Sequence, residues 1–295
     1  MARLDMPGSL DEALRLLAAP GARPMGGGVA VLLRARLGED PGDRYVALGR
    51  IAALRAIDVD RATGELVVGG AATLADVAAS PLVRGRAPLL HAAAAAAASP
   101  GIRSIATVGG NLVDAPGESD LAAALLALDA TLVVHGPAGA RHVDIARLAA
   151  AEATLIAIGE LLAAIRVPPA GPSGWSLRRI QTQGGGDRSA TTVAVALRAV
   201  DGLVAGASAA ATAIADRPLV LAELVASLRG RAVAELRSGQ LAEGAAAAAR
   251  AAADRATNGG LPLHDDLRAS AAYRHHVLGV LAARAVAEAA SRIGR

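Results

Sequence analysis

The sequence predicts an α+β fold built from more than one unit, and three observations carry this prediction. Short apolar runs bounded by turn residues alternate with helical patterns that open on capping residues. Proline and glycine crowd residues 168–174, where neither a helix nor a strand can continue. Beyond that segment, three strand patterns and a long apolar helix indicate an antiparallel sheet covered by helices on one face.

The composition excludes several classes of site. The chain contains no cysteine and no lysine, which excludes a cysteine-ligated iron–sulfur cluster, a thiol nucleophile and a P-loop within it. Its 30 basic residues are arginines scattered along the chain, a distribution that disfavours nucleic-acid binding. The 6 histidines show no metal-ligand spacing. No apolar run approaches the roughly 20 residues of a membrane span, and the first residues do not resemble a signal peptide, so we expect a cytoplasmic protein.

Local signals organise the first part of the chain. The capping box Ser9-Leu-Asp-Glu12 predicts a helix over residues 10–19, and residues 22–25 read as a short strand. Gly26-Gly27-Gly28 predicts a tight turn, since glycine enters positive φ freely and lets a ligand approach the backbone. A helix over residues 29–37 follows. A flexible connector is the alternative reading of the three glycines.

The segment Thr107-Val-Gly-Gly-Asn111 carries the clearest functional signal. We expect residues 102–107 to be extended and Gly109-Gly110 to form a turn, after which Asp120 caps a helix over residues 121–128. Backbone N–H groups at such a turn form a concave anion site, to which Thr107 and Asn111 can add uncharged hydrogen bonds. This pattern indicates a phosphorylated cofactor. For Asp120, a plain N-cap is the alternative role.

Strand and turn patterns complete the reading. A hairpin is expected over residues 131–144 and a buried strand over residues 161–167. Past the proline-rich boundary, strands are expected at 175–181, 191–200 and 203–212, with helices at 218–228 and 271–292.

Taken together, these residues resemble the FAD-binding medium subunit of the molybdenum hydroxylases, the xanthine dehydrogenase and carbon monoxide dehydrogenase family. The resemblance covers nearly the whole chain and follows its order. The matching pieces are Gly26-Gly27-Gly28, Gly70-Ala-Ala-Thr-Leu-Ala-Asp-Val77, Ala98-Ser-Pro-Gly-Ile-Arg103, Thr107-Val-Gly-Gly-Asn111, Asp120-Leu, Gly159-Glu-Leu-Leu162 and Asp265-Asp-Leu-Arg-Ala-Ser270 with Tyr273-Arg.

The resemblance implies a two-subdomain FAD-binding fold of the PCMH type. Its subdomains would cover residues 1–55 and 56–168, with FAD between them and a linker at 168–174. A C-terminal α+β domain, residues 175–295, would hold a three-stranded antiparallel sheet with helices. Electrons would pass from the [2Fe-2S] clusters of a small subunit through FAD to an external acceptor. A large subunit would carry molybdopterin, the complex being a dimer of heterotrimers.

The resemblance also implies which residues bind the cofactor, while no catalytic side chain and no metal ligand is expected in this chain. Two glycine segments would hold the FAD pyrophosphate through backbone amides, Asp120 would lie near the ribityl chain and flavin, Leu161 and Leu162 along the cofactor, and Asp187 in a loop from the C-terminal domain. The residues of the two glycine segments are Met25, Gly26, Gly27, Gly28, Val29, Ala30, Thr107, Gly109, Gly110 and Asn111.

The chain departs from the family pattern at a few positions. Val29-Ala30 is apolar where relatives have hydrogen-bonding side chains, and Asp114 replaces a neutral polar residue. A carboxylate near a pyrophosphate repels it. Two alternative functions therefore stay open: an assembly subunit that keeps the fold without the cofactor, and a stand-alone flavin oxidoreductase.

Overall fold

A computed structural model of the chain describes residues 3–39, 42–150, 155–169, 171, 173–181 and 188–294. The chain divides into two units. The first unit comprises Met1–Asp114, Ala130–Arg147 and Ala151–Pro169, and the second comprises Ala115–Asp129, Leu148–Ala150 and Ala170–Arg295. The segment 115–129 therefore groups with the C-terminal part of the chain, although most of its sequence neighbours belong to the first unit.

The first unit begins with a small parallel sheet. Ser9 caps the first helix by accepting a hydrogen bond from the Glu12 N–H, so the predicted capping box helix is confirmed, as is the helix predicted over residues 29–37. The strands lie in the order β1-β3-β2. These elements are β1 (Arg3–Asp5), α1 (Leu10–Leu17), β2 (Ala22–Met25), α2 (Val29–Leu37) and β3 (Arg44–Ala47).

A five-stranded antiparallel sheet and several short helices make up the rest of the first unit. The strand order is β4-β5-β8-β6-β7, and the predicted hairpin and buried strand are confirmed. The elements are α3 (Ala52–Arg55), β4 (Ile57–Val59), β5 (Leu66–Gly69), α4 (Leu74–Ala79), α5 (Pro81–Arg86), α6 (Pro88–Ala96), α7 (Pro100–Arg103), α8 (Val108–Asp114), β6 (Thr131–Gly136), β7 (Gly139–Asp144) and β8 (Leu161–Val167).

Two local predictions in this unit were wrong. Residues 102–107 are not extended, because α7 occupies their first part and is capped by the Ser99 hydroxyl. Gly109 and Gly110 do not form a turn but lie inside α8. Glycine has a low helix propensity, so the sequence around this pair predicts a turn. Contacts with other segments of the folded chain override that preference.

The second unit is built around a four-stranded antiparallel sheet, ordered β12-β11-β10-β9. The three predicted strands are confirmed. A two-residue strand joins the edge of β11 in addition, and the helix predicted from residue 218 consequently begins at Ala222. The elements are α9 (Asp120–Ala127), β9 (Gly174–Gln181), β10 (Ser189–Val200), β11 (Leu203–Thr212), β12 (Leu219–Val220), α10 (Ala222–Leu228), α11 (Val233–Ser238), α12 (Ala242–Asn258) and α13 (Ala271–Arg292).

Helices cover both faces of this sheet, so the expectation that they lie on one face was wrong. Val193, Val195 and Leu197 of β10 point into a core shared with α12 and α13. The alternate residue Thr192 faces the other way and contacts α9, whose residues are all buried. β10 is apolar on both faces because α9 covers one face and the core with α12 and α13 covers the other. The residue pattern of the strands does not indicate that the distant segment 115–129 supplies a helix there. The α+β class itself is confirmed.

Candidate functional site

Glycine-containing segments precede or begin two helices of the first unit, α2 and α8, where the sequence predicted the cofactor. At α2, Gly28 is the N-cap with φ of 76°, and it supplies no side chain to cap the helix. The first hydrogen bond of the helix runs from the Leu32 N–H to the Gly28 carbonyl oxygen at 2.9 Å. Within the described parts of the chain, no acceptor contacts the N–H groups of Val29, Ala30 or Val31. Such a first turn is suited to binding an anion.

The start of α8 is arranged differently. The N–H groups of Val108 and Gly109 donate to the carbonyl oxygens of Ala72 and Gly70 at 2.9 and 2.8 Å. The Thr107 hydroxyl accepts from the Gly110 N–H at 3.2 Å, and the Thr107 carbonyl accepts from the Asn111 N–H at 2.9 Å. The backbone amides of this first turn are therefore engaged within the protein. Gly110 itself is exposed, so its backbone face stays open to a ligand.

Close backbone packing explains the other glycines near α2. A Cβ placed on Gly26 would overlap the Thr107 hydroxyl, and one placed on Gly27 would overlap the Ile105 carbonyl oxygen. The turn between β2 and α2 therefore lies directly against residues 105–107. Met25, at the end of β2, accepts a hydrogen bond from the Leu48 N–H at 2.9 Å and so fixes where the turn begins. The structure thus brings the two predicted glycine segments together.

The backbone of α8 also packs against the segment that contains Gly70. A Cβ on Gly109 would lie 2.7 Å from the Gly70 carbonyl oxygen, and one on Gly70 would overlap the Leu162 carbonyl oxygen. Gly70 in turn donates its N–H to the Ala163 carbonyl oxygen at 2.8 Å. Leu161 and Leu162 are buried in β8. Sequence reasoning singled out these leucines, but Gly70, which joins them to α8, was noted only as part of a motif.

The carboxylate of Asp114 is paired. Asp114 ends α8, and it forms an ion pair with Arg34 in the second half of α2. The side chain of Asp114 is largely covered, whereas that of Arg34 is partly exposed. The guanidinium offsets the negative charge that this chain carries at a position where neutral residues are usual, so the repulsion expected from an isolated carboxylate is reduced.

Asp120 belongs to the second unit and does not cap α9. Ser119 is the N-cap, its hydroxyl accepting from the Ala122 N–H at 3.0 Å, so Asp120 is the first residue inside the helix. Its buried carboxylate accepts hydrogen bonds from the hydroxyls of Thr192 and Ser189 at 2.5 and 3.3 Å and pairs with Arg179 at 3.1 Å. Burial raises the pKa of Asp120, and the positive charge of Arg179 opposes that rise.

The C-terminal motif forms an ion-pair network that sequence reasoning missed. Burial raises the pKa of Asp266, but hydrogen bonds from the Arg268 N–H and guanidinium outweigh it and hold the pKa well below its usual range. Arg274 is fully buried, pairing with Asp266 at 2.6 Å and donating to the carbonyl oxygens of Ala190 and Ala213. Arg268 also pairs with Glu118 at 2.8 Å. The sequence signal that could have predicted this network is the spacing of Asp266, Arg268 and Arg274.

Some predictions cannot be placed. Asp187 lies outside the described residues. Within the described ranges, no cluster of histidine, aspartate or glutamate has the arrangement of a metal site, and no helix is long and apolar enough to span a bilayer.

The first turn of α2 fits the phosphate groups of FAD. Among the described residues its amides have no acceptor and no side chain caps the helix, because the N-cap position is Gly28. The apolar side chains of Val29 and Ala30 do not weaken this fit, because a helix N-terminus binds an anion through backbone N–H groups.

Comparisons with known proteins give independent evidence. Residues 2–170 match the family described as the FAD binding domain in molybdopterin dehydrogenase. The chain is 31% identical over 291 residues to the carbon monoxide dehydrogenase medium chain of Hydrogenophaga pseudoflava, a match that covers 97% of this chain and 96% of that protein.

A shorter match relates the chain to a xanthine dehydrogenase. It is 35% identical over 138 residues to the xanthine dehydrogenase FAD-binding subunit of Escherichia coli O157:H7, covering 46% of this chain and 47% of that protein.

The fold agrees with these sequence matches. It superposes on a chain of the reconstituted CO dehydrogenase from Oligotropha carboxidovorans with a TM-score of 0.88 and 28% identity, covering 99% and 98% of the two chains. The glycine-bordered helix start, the family match and the shared fold therefore agree that this chain belongs to the FAD-binding medium subunits of the molybdenum hydroxylases.

Proposed function

We propose that this chain holds FAD mainly at the first turn of α2 and serves as the electron-transfer subunit of a molybdopterin-dependent dehydrogenase. The observation that carries the proposal is the set of N–H groups of Val29, Ala30 and Val31, which have no acceptor among the described residues. The chemistry that bound FAD supplies is electron transfer from iron–sulfur clusters of another subunit to an external acceptor. The chain itself binds and orients the cofactor.

Four other predicted residues support this turn, either by close backbone packing or by offering further groups to a phosphate. Gly26 and Gly27 let the turn lie against Thr107 and residue 105, and the exposed backbone of Gly110 offers a second approach for phosphate. The Thr107 hydroxyl accepts one hydrogen bond and retains a proton to donate.

The remaining predicted contacts have a weaker basis. Leu161 and Leu162 support α8 through Gly70. Contacts from Asn111, Asp120 and Asp187 to the cofactor remain predictions from the resemblance.

The proposed partners are inferred from the relatives of this chain. It contains no cysteine, so these 295 residues offer no thiolate ligands for an iron–sulfur cluster. The relatives are named as the medium chain of carbon monoxide dehydrogenase and the FAD-binding subunit of xanthine dehydrogenase. We infer a small iron–sulfur subunit and a large molybdopterin subunit, assembled as a dimer of heterotrimers in the cytoplasm.

The test compares two substitutions at one position. Ala30→Pro removes the N–H of the second residue of α2, a first-turn group that makes no hydrogen bond within the helix, while Ala30→Val keeps the N–H at similar bulk. A lost hydrogen bond to a charged group costs about 1.5–3 kcal/mol, so we expect Ala30→Pro to weaken FAD binding roughly 10- to 100-fold. Ala30→Val should change it by less than about threefold. Flavin fluorescence titration of the apoprotein measures both, and thermal unfolding verifies folding.

The outcomes separate the alternatives. Equal FAD affinity in Ala30→Pro and wild type would show that α2 is not the anchor. Wild-type protein that takes up no FAD yet copurifies with the two partner subunits would favour the assembly subunit. A flavin-loaded chain that oxidises substrate without partners would favour the stand-alone oxidoreductase.

A further inference from the structure

The helix α2 is weakly anchored for an element with a binding role. A surface helix is normally held by an apolar stripe that packs on the core. None of the residues of α2 is buried, and its leucines are more than half exposed, with exposed fractions of 58% for Leu32, 51% for Leu33 and 61% for Leu37. Apolar burial therefore contributes little to fixing the orientation of this helix.

Two other features tie α2 to the rest of the first unit. At its start, Gly26 and Gly27 pack against residues 105–107. In its second half, Arg34 pairs with Asp114 at the end of α8. The helix is thus attached at one end by backbone packing and near the other by a pair of opposite charges, and both attachments lead to the segment 105–114.

We propose that Arg34 and Asp114 form an ionic strap that holds α2 against α8 and so positions the first-turn amides for the FAD phosphates. Arg34 and Asp114 are positioning residues in this view, and Asp114 favours FAD binding although its own charge is negative. The inference rests on the proposed function of the α2 turn. It assigns a role to Asp114, one of the positions at which this chain departs from the family pattern.

Distance along the helices does not by itself exclude a direct effect of these charges on the phosphates. At 1.5 Å per residue, Arg34 lies about 6 Å along the axis from Ala30, and Asp114 about 9 Å from the start of α8. With the effective dielectric constant of about 20 that holds near a protein surface, a unit charge at about 9 Å changes an affinity by roughly 20-fold before salt screening. The sign of the Asp114 effect separates the two causes: direct repulsion predicts tighter FAD binding when the carboxylate is neutralised, whereas loss of the strap predicts weaker binding.

The experiment is a double-mutant cycle on the full chain. Arg34→Gln, Asp114→Asn and the double variant are titrated with FAD as apoproteins, and Arg36→Gln serves as the matched control because Arg36 is exposed on the same helix. We expect each single variant to bind FAD about 5- to 10-fold more weakly and the double variant no more weakly than either single one. Arg36→Gln should bind like wild type. The exchanged pair Arg34→Asp with Asp114→Arg should recover affinity to within about threefold.

Hydrogen exchange of the apoprotein gives a readout that does not require FAD. The amides of residues 32–37 should exchange faster in Arg34→Gln than in wild type or Arg36→Gln, while the melting temperature stays within a few degrees. Tighter FAD binding by Asp114→Asn would show repulsion instead of a strap. Additive effects in the double variant, or unchanged exchange in Arg34→Gln, would also overturn the proposal. Wild type that binds no FAD would refute the proposed function alone, because exchange still tests the strap.

Discussion

The starts of α2 and α8 look alike in sequence but differ in what their amides contact. Both contain neighbouring glycines, which precede α2 and lie within the first turn of α8, and both were predicted to present N–H groups to a phosphate. At α2 the first-turn amides have no acceptor within the described residues, whereas at α8 they bond to Gly70, Ala72 and Thr107. A glycine pair therefore marks a close approach to the backbone. Whether a ligand or another segment of the protein makes that approach depends on tertiary contacts.

The largest expected effect tests the packing of the α2 turn. Gly27→Ala would drive a Cβ into the Ile105 carbonyl oxygen, a backbone atom that cannot move independently. We expect the free energy of unfolding to fall by about 3 kcal/mol or more and FAD binding to be lost. Gly101→Ala is the control, since its Cβ would meet nothing within 4 Å. Thermal unfolding and flavin content measure both. A stable, flavin-binding Gly27→Ala protein would contradict the close approach of the two segments.

A smaller effect separates the two glycines of α8. Gly109→Ala would place a Cβ 2.7 Å from the Gly70 carbonyl oxygen, so we expect a loss of about 1–3 kcal/mol in the free energy of unfolding. In Gly110→Ala the nearest atom is the Thr107 hydroxyl oxygen at 3.1 Å, and the better helix propensity of alanine offsets that contact. We expect its stability to match wild type and its FAD affinity to fall severalfold, because the added methyl group covers an exposed backbone. Denaturant unfolding and FAD titration distinguish the two roles.

The results for Gly110 and Gly109 show whether α8 contacts FAD or only supports α2. If Gly110→Ala binds FAD as tightly as wild type, α8 serves only to support α2. If Gly109→Ala unfolds at the wild-type denaturant concentration, the contact with Gly70 is not restrictive.

The smallest expected effect concerns the cap of α8. Thr107→Val removes the hydroxyl that accepts the Gly110 N–H, while Thr107→Ser keeps it. Loss of such a cap costs about 1 kcal/mol, so Thr107→Val should melt a few degrees lower and Thr107→Ser should stay closer to wild type. Differential scanning calorimetry of the three proteins measures this. Equal melting temperatures for Thr107→Val and wild type would mean that the hydrogen bond from the Gly110 N–H to this hydroxyl does not stabilise α8.

Local signals in the sequence were reliable where the structure depends on neighbouring residues. The capping box at Ser9 and Glu12 and the helix over residues 29–37 are observed as predicted. The hairpin over residues 131–144 is also present, with Gly136 paired to Gly139. These elements are specified by side chains within a few positions of the backbone groups they contact. The family assignment followed from the order of such short motifs.

Predictions failed where partners lie far apart in the chain. Gly109 and Gly110 lie in a helix because segment 70–72 and Thr107 accept the amide hydrogens of its first turn. The cap predicted at Asp120 is wrong by one residue, since Ser119 caps α9, whereas the partners of the Asp120 carboxylate are distant: Thr192, Ser189 and Arg179 from two strands of the C-terminal sheet. Nothing within a few residues of Asp120 indicates these partners, because strand residues about 60–70 positions later supply them.

By itself, the sequence determined the cap of α1, the hairpins, the absence of cysteine and hence of thiolate ligands in these residues, and the family. Only the tertiary structure decided which glycine segment keeps its amides available, that Arg34 meets Asp114, and that Asp120 bonds to the C-terminal sheet. The physical reason is how far apart along the chain the interacting groups lie. Caps and turns satisfy backbone hydrogen bonds locally, whereas the availability of an N–H group or the pairing of a charge depends on segments that only the folded chain brings together.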